Sequence, residues 1–142
     1  MKKGFTMIEL IFVIVILGVL ASVAIPRLAA TRDDAELSKA TANLTLAVRD
    51  IAAYYTAKGT FDTTITNMTN ALSSGGKLQI KKKDCATVTV DNTKGEIGVS
   101  IAGMDSPCPK LKDMPGIKDM CTSGTISSNC KIKVGGADGI TW

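Results

Sequence analysis

The stretch Leu10–Ile25, LIFVIVILGVLASVAI, runs for 16 consecutive positions without a charge. Adding Phe5–Ile8 extends the apolar window to 21 residues, interrupted by Glu9. As a helix such a window spans roughly 31 Å, enough to cross a bilayer. Lys2 and Lys3 precede it, which directs the N-terminus to the cytoplasm and the rest of the chain outward. This segment decides the fold, because everything after it is either tethered to a membrane or cut free.

Two ordinary explanations compete. A secretory signal peptide uses Lys2-Lys3 as its basic start and Ser22-Val23-Ala24 as a small-residue cleavage site, and releases a soluble binding protein. A plain membrane anchor keeps the segment. Neither accounts for Glu9, whose carboxylate is costly against lipid.

Gly4-Phe5-Thr6-Met7-Ile8-Glu9, followed by the apolar run and then Pro26, resembles the start of type IV prepilins and type II secretion pseudopilins. The resemblance covers about residues 1–30. It implies that a prepilin peptidase cuts between Gly4 and Phe5 and methylates the new N-terminal Phe5. It also places Glu9 at the family's acidic position, five residues into the mature chain. Elementary electrostatics gives that position a purpose. A carboxylate entering a core of apolar helices without a partner is strongly unfavourable, whereas the α-amine of a neighbouring subunit neutralises it and fixes axial register. The family further implies a filament built from this chain and other pilin-like subunits. Its other partners are the peptidase, an inner-membrane assembly platform and membrane lipid. The expected placement is a single-pass inner-membrane protein with a cytoplasmic N-terminus and a periplasmic or extracellular head, later drawn into the filament. Within the family, a pseudopilus of type II secretion or DNA uptake is the first reading and a true type IV pilin the second. The short head favours the former, while terminal disulfide-bound loops recur in pilins.

Pro26 lies where the helix leaves the membrane. It removes a backbone donor and crowds the preceding turn, so a kink or local melting is expected there. Beyond it, Leu37, Thr41, Leu44, Val48, Ile51 and Tyr55 recur at helical spacing, with Arg32, Asp33, Glu36, Lys39, Asn43 and Asp50 on the other side. Lys58-Gly59 is a C-terminal stop. The division expected is therefore a leader over 1–4, a transmembrane and filament-core helix over 5–26, an amphipathic helix over 27–59 and a disulfide-stapled β head over 60–142.

In the last part the apolar period changes to two. Leu78 and Ile80, Val88 and Val90, and Ile97, Val99 and Ile101 each alternate with polar neighbours. Asn92-Thr93-Lys94-Gly95 reads as a hairpin turn between the last two groups. Ile132 and Val134 read as a further pair with Ile140 and Trp142 around Gly135-Gly136-Ala137-Asp138-Gly139. The fold class expected is α+β, with a long N-terminal helix packed on a small antiparallel sheet of four or five strands. Thr60–Gly76 reads as a loop with one helical turn near Asn70.

Cys85, Cys108, Cys121 and Cys130 all lie in the exported part, where two disulfides are expected. Three connectivities are open; sequential loops close with least entropy, which favours Cys85–Cys108 with Cys121–Cys130. A head with so few large rings needs such staples.

Composition narrows the function. The chain contains no histidine, which removes Ser-His triads and His-ligated zinc within it. No nucleophile–base pair can be assembled, so a structural protein is expected rather than an enzyme. Net charge is +4 from 17 Lys+Arg and 13 Asp+Glu, and without Lys2 and Lys3 the balance is 15 against 13, too weak for a nucleic-acid signal. Lys81-Lys82-Lys83 reads as a solvated strand edge that blocks sheet-to-sheet pairing. No metal or cofactor is expected. Calcium, known at the C-terminus of major pseudopilins, has one candidate in Asp138 with Asp91, Asp105 or Asp119, but no dense acidic run supports it.

Overall fold

A computed structural model describes residues 3–103, 107–125 and 128–135 of the 142-residue chain. A single helix, α1, occupies Met7–Lys58. Packing divides the chain into two compact units, Met1–Ala35 and Glu36–Trp142. The sequence boundaries at 26/27 and 59/60 follow composition. The packing boundary falls elsewhere because Leu37 is the first residue of α1 to be buried.

The first unit contains the apolar part of α1. Its large side chains, among them Phe12, Leu17, Val19 and Leu20, are exposed on every side. A helix that is apolar all round seeks a lipid or protein environment, not water. With a mean hydropathy of 2.9 over an 18-residue stretch, α1 is the one helix among the described residues that is long and apolar enough to cross a membrane. Helical structure runs unbroken through Pro26, so the backbone is not melted there. What the proline removes is one hydrogen bond in an otherwise continuous ladder.

The second unit is the head. Within it α1 buries Leu37, Ala40, Leu44, Ala47, Val48 and Ile51. The stripe differs slightly from the expected one. Thr41 and Tyr55 are half-buried, and the small Ala40 and Ala47 are buried. Thr41 and Thr45 tolerate the helix because each hydroxyl donates one turn back, to the carbonyls of Leu37 at 3.0 Å and Thr41 at 2.9 Å. The helix ends as Lys58-Gly59 predicts. Gly59 has φ 76°, and its N–H donates to the Tyr55 carbonyl at 2.7 Å.

Five strands follow: β1 Lys77–Ile80, β2 Lys83–Asp91, β3 Glu96–Ile101, β4 Ser123–Thr125 and β5 Ser128–Lys133, with a short helix α2 at Cys108–Leu111. They form one antiparallel sheet in the order β1-β2-β3-β5-β4. Leu78, Ile80, Ala86, Val88, Ile97 and Val99 join the α1 stripe, Leu111 and Ile117 in a single core. The helix-on-sheet α+β arrangement is pilin-like.

Three local expectations change. Lys81 and Lys82 are not a strand edge. They are a two-residue turn joining β1 to β2, both left-handed at φ 52° and 63°. The expected turn near Asn70 is a short 3-10 helix at Ile65–Asn67, because the Asp62 carboxylate takes the Thr64 N–H at 2.8 Å and starts the turn earlier. The strand containing Ile132 pairs with β3 on one side and β4 on the other, since Cys121–Cys130 folds Ser123–Thr125 back on β5. Its expected partners Ile140 and Trp142 lie outside the described residues, as does most of the glycine-rich turn before them.

The loop after α1 is tied to the β2–β3 hairpin by one side chain. Asn92 accepts the Phe61 N–H at 2.6 Å and donates to the Phe61 carbonyl at 3.1 Å. Phe61 in turn stacks obliquely on Tyr55, ring centres 4.5 Å apart. The carbonyl of Gly76 accepts the Val88 N–H at 2.8 Å, and at φ 71° this position admits no side chain, because a Cβ would collide with the Val88 carbonyl oxygen.

Candidate functional site

The N-terminal segment is built from its local hydrogen bonds upward. Residues 3–6 precede the helix, so the Gly4–Phe5 peptide bond is not protected by helical hydrogen bonding. Gly4 has open space where a side chain would project, and Phe5 is 92% exposed. An endopeptidase needs an accessible peptide outside regular structure, and this bond is both accessible and outside the helix. After a cut there, the new α-amine would sit on Phe5, two residues before the start of α1.

Thr6 and Glu9 form a reciprocal cap. The Thr6 N–H donates to Glu9 Oε2 at 2.8 Å and the Thr6 hydroxyl to the same oxygen at 2.7 Å. The Glu9 N–H points back to Thr6 Oγ1 at 3.4 Å. This is the capping box, in which a Ser or Thr at the helix start and an acidic residue three positions on satisfy each other's backbone donors. A carboxylate in the first turn also meets the positive end of the helix dipole. Within a single chain, therefore, Glu9 is not an unpaired charge. Both bonds from Thr6 fall on Oε2, and among the described residues Oε1 has no partner.

Thr6 is the residue that sequence reading passed over. Its signal was present as Thr6-x-x-Glu9 directly before an apolar run, the pattern of a helix start. Attention to Glu9 as an intersubunit charge hid its local role.

Against this geometry, residues 1–25 match the family model described as the prokaryotic N-terminal methylation motif. The segment carries the signature of type IV pilins and pseudopilins. The match covers residues 1–4, the Gly4–Phe5 bond, the Thr6–Glu9 cap and the apolar run to Ile25. The pilin signature stops there, so the head is read from its own residues. Among curated proteins and among solved structures, no match to the chain is found. The signature and the apolar helix fit a membrane-anchored, single-pass, type IV pilin-like protein.

The remaining candidate residues lie in the head. Cys85 is bonded to Cys108 and Cys121 to Cys130, and the first pair is fully buried in the core. Cys85 is also the extra residue of a β-bulge. Leu78 pairs with Ala86 and Gln79 with Asp84, which leaves Cys85 unpaired between them and turned inward. Of the acidic residues named for calcium, Asp105 and Asp138 lie outside the described residues. Asp91 caps its own hairpin by accepting the Thr93 N–H at 2.9 Å. Among the described residues, no three His, Cys, Asp or Glu side chains converge as a metal site.

Proposed function

We propose that this chain is a structural subunit of a type II secretion or DNA-uptake pseudopilus, cut by prepilin peptidase between Gly4 and Phe5, methylated at Phe5 and assembled from the inner membrane. The observation that carries the reading is the conjunction at the N-terminus: an exposed, non-helical Gly4–Phe5 bond, a capped helix start and an apolar helix with no partner of its own. The pilin signature points the same way, to a structural subunit rather than a catalyst.

In this reading the parts are a leader over 1–4, a core helix over 5–26, an amphipathic helix over 27–59 and a β head from residue 60. Glu9 holds Thr6 in the isolated subunit and offers its open Oε1 to the α-amine of a neighbour during assembly. Proton and charge stay balanced, because a cationic amine meets an ionised carboxylate in a water-poor core. Pro26 supplies the one missing hydrogen bond at which the helix flexes as subunits leave the bilayer. Partners are further copies, other pilin-like subunits and an inner-membrane assembly platform; no metal or cofactor takes part. A true type IV pilin is the second reading, favoured by the two disulfides of the head.

Intact mass of the membrane-extracted protein tests the core of the proposal. The expected species starts at Phe5 and carries one added methyl. A chain starting at Ile25 would overturn it in favour of a released binding protein. Glu9→Ala tests assembly: processing at Gly4 should persist while filament yield collapses, and normal filaments would remove Glu9 from assembly. Loss of cargo export on deleting the gene would favour the pseudopilus, and loss of retractile fibres the pilus.

A further inference from the structure

Within the head, one apolar side chain is out of place. Leu46 of α1 is 51% exposed, whereas the other large apolar side chains described there are buried or half-buried. A single exposed leucine is ordinary. What sets this one apart is the cleft beside it, of about 470 Å³. Leu46 lines it together with Asn43 and Asp50 of α1 and with Thr69 and Asn70 of the loop that follows the helix. Asp50 is pinned there, because the buried Thr69 hydroxyl donates to its Oδ2 at 2.9 Å. Among the described residues Asp50 Oδ1 has no partner, and neither have the side-chain amides of Asn43 and Asn70.

The charge next to it says what the cleft takes. Arg49 is exposed and makes no ion pair among the described residues. Successive positions on a helix do not face each other, so Arg49 does not serve Asp50 of its own chain. At about 100° per residue, Arg49 lies about 60° to one side of Leu46 and Asp50 about 40° to the other. Any surface that covers Leu46 therefore dries both charges, and each then needs an opposite one. Two copies of the helix laid parallel across Leu46 meet that need from one sequence. The Arg49 flank of one copy then lies against the Asp50 flank of the other. Laid antiparallel, the same faces set like charges together.

From this we infer that the cleft beside Leu46 receives the Arg49 guanidinium of a second, parallel copy of this chain. Asp50 Oδ1 is its counter-charge, and the amide oxygens of Asn43 and Asn70 accept further N–H donors of the guanidinium. The inference rests on the filament reading above and adds to it a contact between heads. Arginine and cleft flank Leu46 on opposite sides, so each copy gives to one neighbour and receives from another. A head-to-tail contact of that kind extends into an open filament when its rotation does not close a ring. A neutral ligand such as a sugar would satisfy the amides but leave the carboxylate dried and unpaired.

The test uses the full chain carrying Arg49→Lys, in membranes and in sheared filaments. A carbodiimide joins a carboxylate to an amine in direct contact with it, and should link position 49 of one copy to Asp50 of another. The dimer is read on a denaturing gel and the linked peptides by mass spectrometry. Adding Asp50→Asn, which keeps an oxygen for the Thr69 hydroxyl, should lower that dimer about tenfold. Without the reagent, Arg49→Glu should cut sheared-filament yield about fivefold, because like charges then meet across the contact. The same variant should leave the melting temperature of the head unchanged, and Arg49→Lys should keep most of the yield. Dimers linked through other residues but not through 49 and 50 overturn the inference, as do undiminished filaments from Arg49→Glu. A link from Asp50 to a different protein overturns it too, since the occupant is then not a second copy. An unaltered chain that gives neither dimer nor filament overturns the filament reading as well, a result distinct from a chain that assembles through other contacts.

Discussion

Along one helix, the same residue types meet two fates. Phe12, Leu17, Val19 and Leu20 are all more than half exposed, while Leu37, Leu44, Val48 and Ile51 are buried. Nothing in the individual side chains distinguishes the groups; their spacing does. In the first unit apolar residues cover the whole circumference, so no single face can be satisfied by one sheet, and the helix waits for lipid or for other helices. In the second, they form a stripe that one small sheet covers. The comparison teaches that α1 is finished as a folded object only in its second half. Its first half is completed by its surroundings.

Cutting equal volumes from the two regions gives the sharpest test. Ile51→Ala leaves a cavity in the core of the head and should destabilise it by about 2–5 kcal/mol. Leu17→Ala, on the exposed apolar surface, should change head stability by less than about 0.5 kcal/mol. Thermal unfolding of the full chain in detergent, followed by the circular dichroism of the sheet, reads both. Similar shifts for the two variants would mean that the halves are not energetically separate.

The disulfides sharpen the account of the head alone. Replacing Cys85 and Cys108 together by Ala should cost about 2–5 kcal/mol. The Cys121–Cys130 bridge closes 9 residues of sequence against 23 for the first. On loop entropy its loss should cost about 1 kcal/mol less, and Cys121 is only half-buried. Urea titrations of the two double variants give the order. An equal or reversed order would show that the bulge at Cys85 tolerates the loss better than its burial suggests.

How much of this was legible beforehand follows the range of the interactions. The apolar window, the stripe, the Gly59 stop and the β2–β3 hairpin at Asn92–Gly95 are local patterns, and they read correctly from sequence. The places that did not read depend on distant partners or on unusual residues. A lysine pair in a left-handed turn defeats any propensity argument, since Lys81 and Lys82 look like strand. The pairing of β5 with both β3 and β4 is a question of sheet order, which alternation cannot fix. At the candidate site, Gly4, Phe5 and Glu9 were visible through their resemblance to prepilins. Thr6 was visible in principle, as the first half of a capping box, and was missed because its partner already had a role.

A backbone position gives a smaller effect. Gly76→Ala should destabilise the head by about 1–3 kcal/mol, because positive φ and the Val88 carbonyl both oppose a Cβ. Gly75→Ala shares the positive φ, at 80°, but has open space around it. It should cost about 1 kcal/mol. Melting temperatures of the two variants separate collision from strain, and equal losses would remove the close approach of Gly76 to β2 from the account.

The smallest effect expected is acid sensitivity, and it too belongs to the head. Hydrogen bonds hold the carboxyls of Asp62, Asp84 and Asp91 below the ordinary value of 3.8. The largest cause is the Thr64 N–H for Asp62, the Lys77 ammonium for Asp84 and the Thr93 hydroxyl for Asp91. A carboxyl whose value is lower in the folded chain than in the unfolded one binds protons more readily when unfolded. Its contribution is therefore present in full above about pH 4 and disappears as pH falls through the lowered folded values. Asp84 is exposed and Asp62 and Asp91 are half-buried at the surface, so each contribution is modest. The melting temperature of the sheet should be flat from neutral pH to about pH 5 and decline below about pH 4, with no change in association of the apolar segment with detergent or lipid. Asp62→Asn retains an oxygen to accept the Thr64 N–H but cannot ionise, so it should make the acid decline shallower. An unchanged decline in that variant would assign the acid sensitivity to Asp84 and Asp91, at the two hairpins, and not to the loop that joins α1 to the sheet.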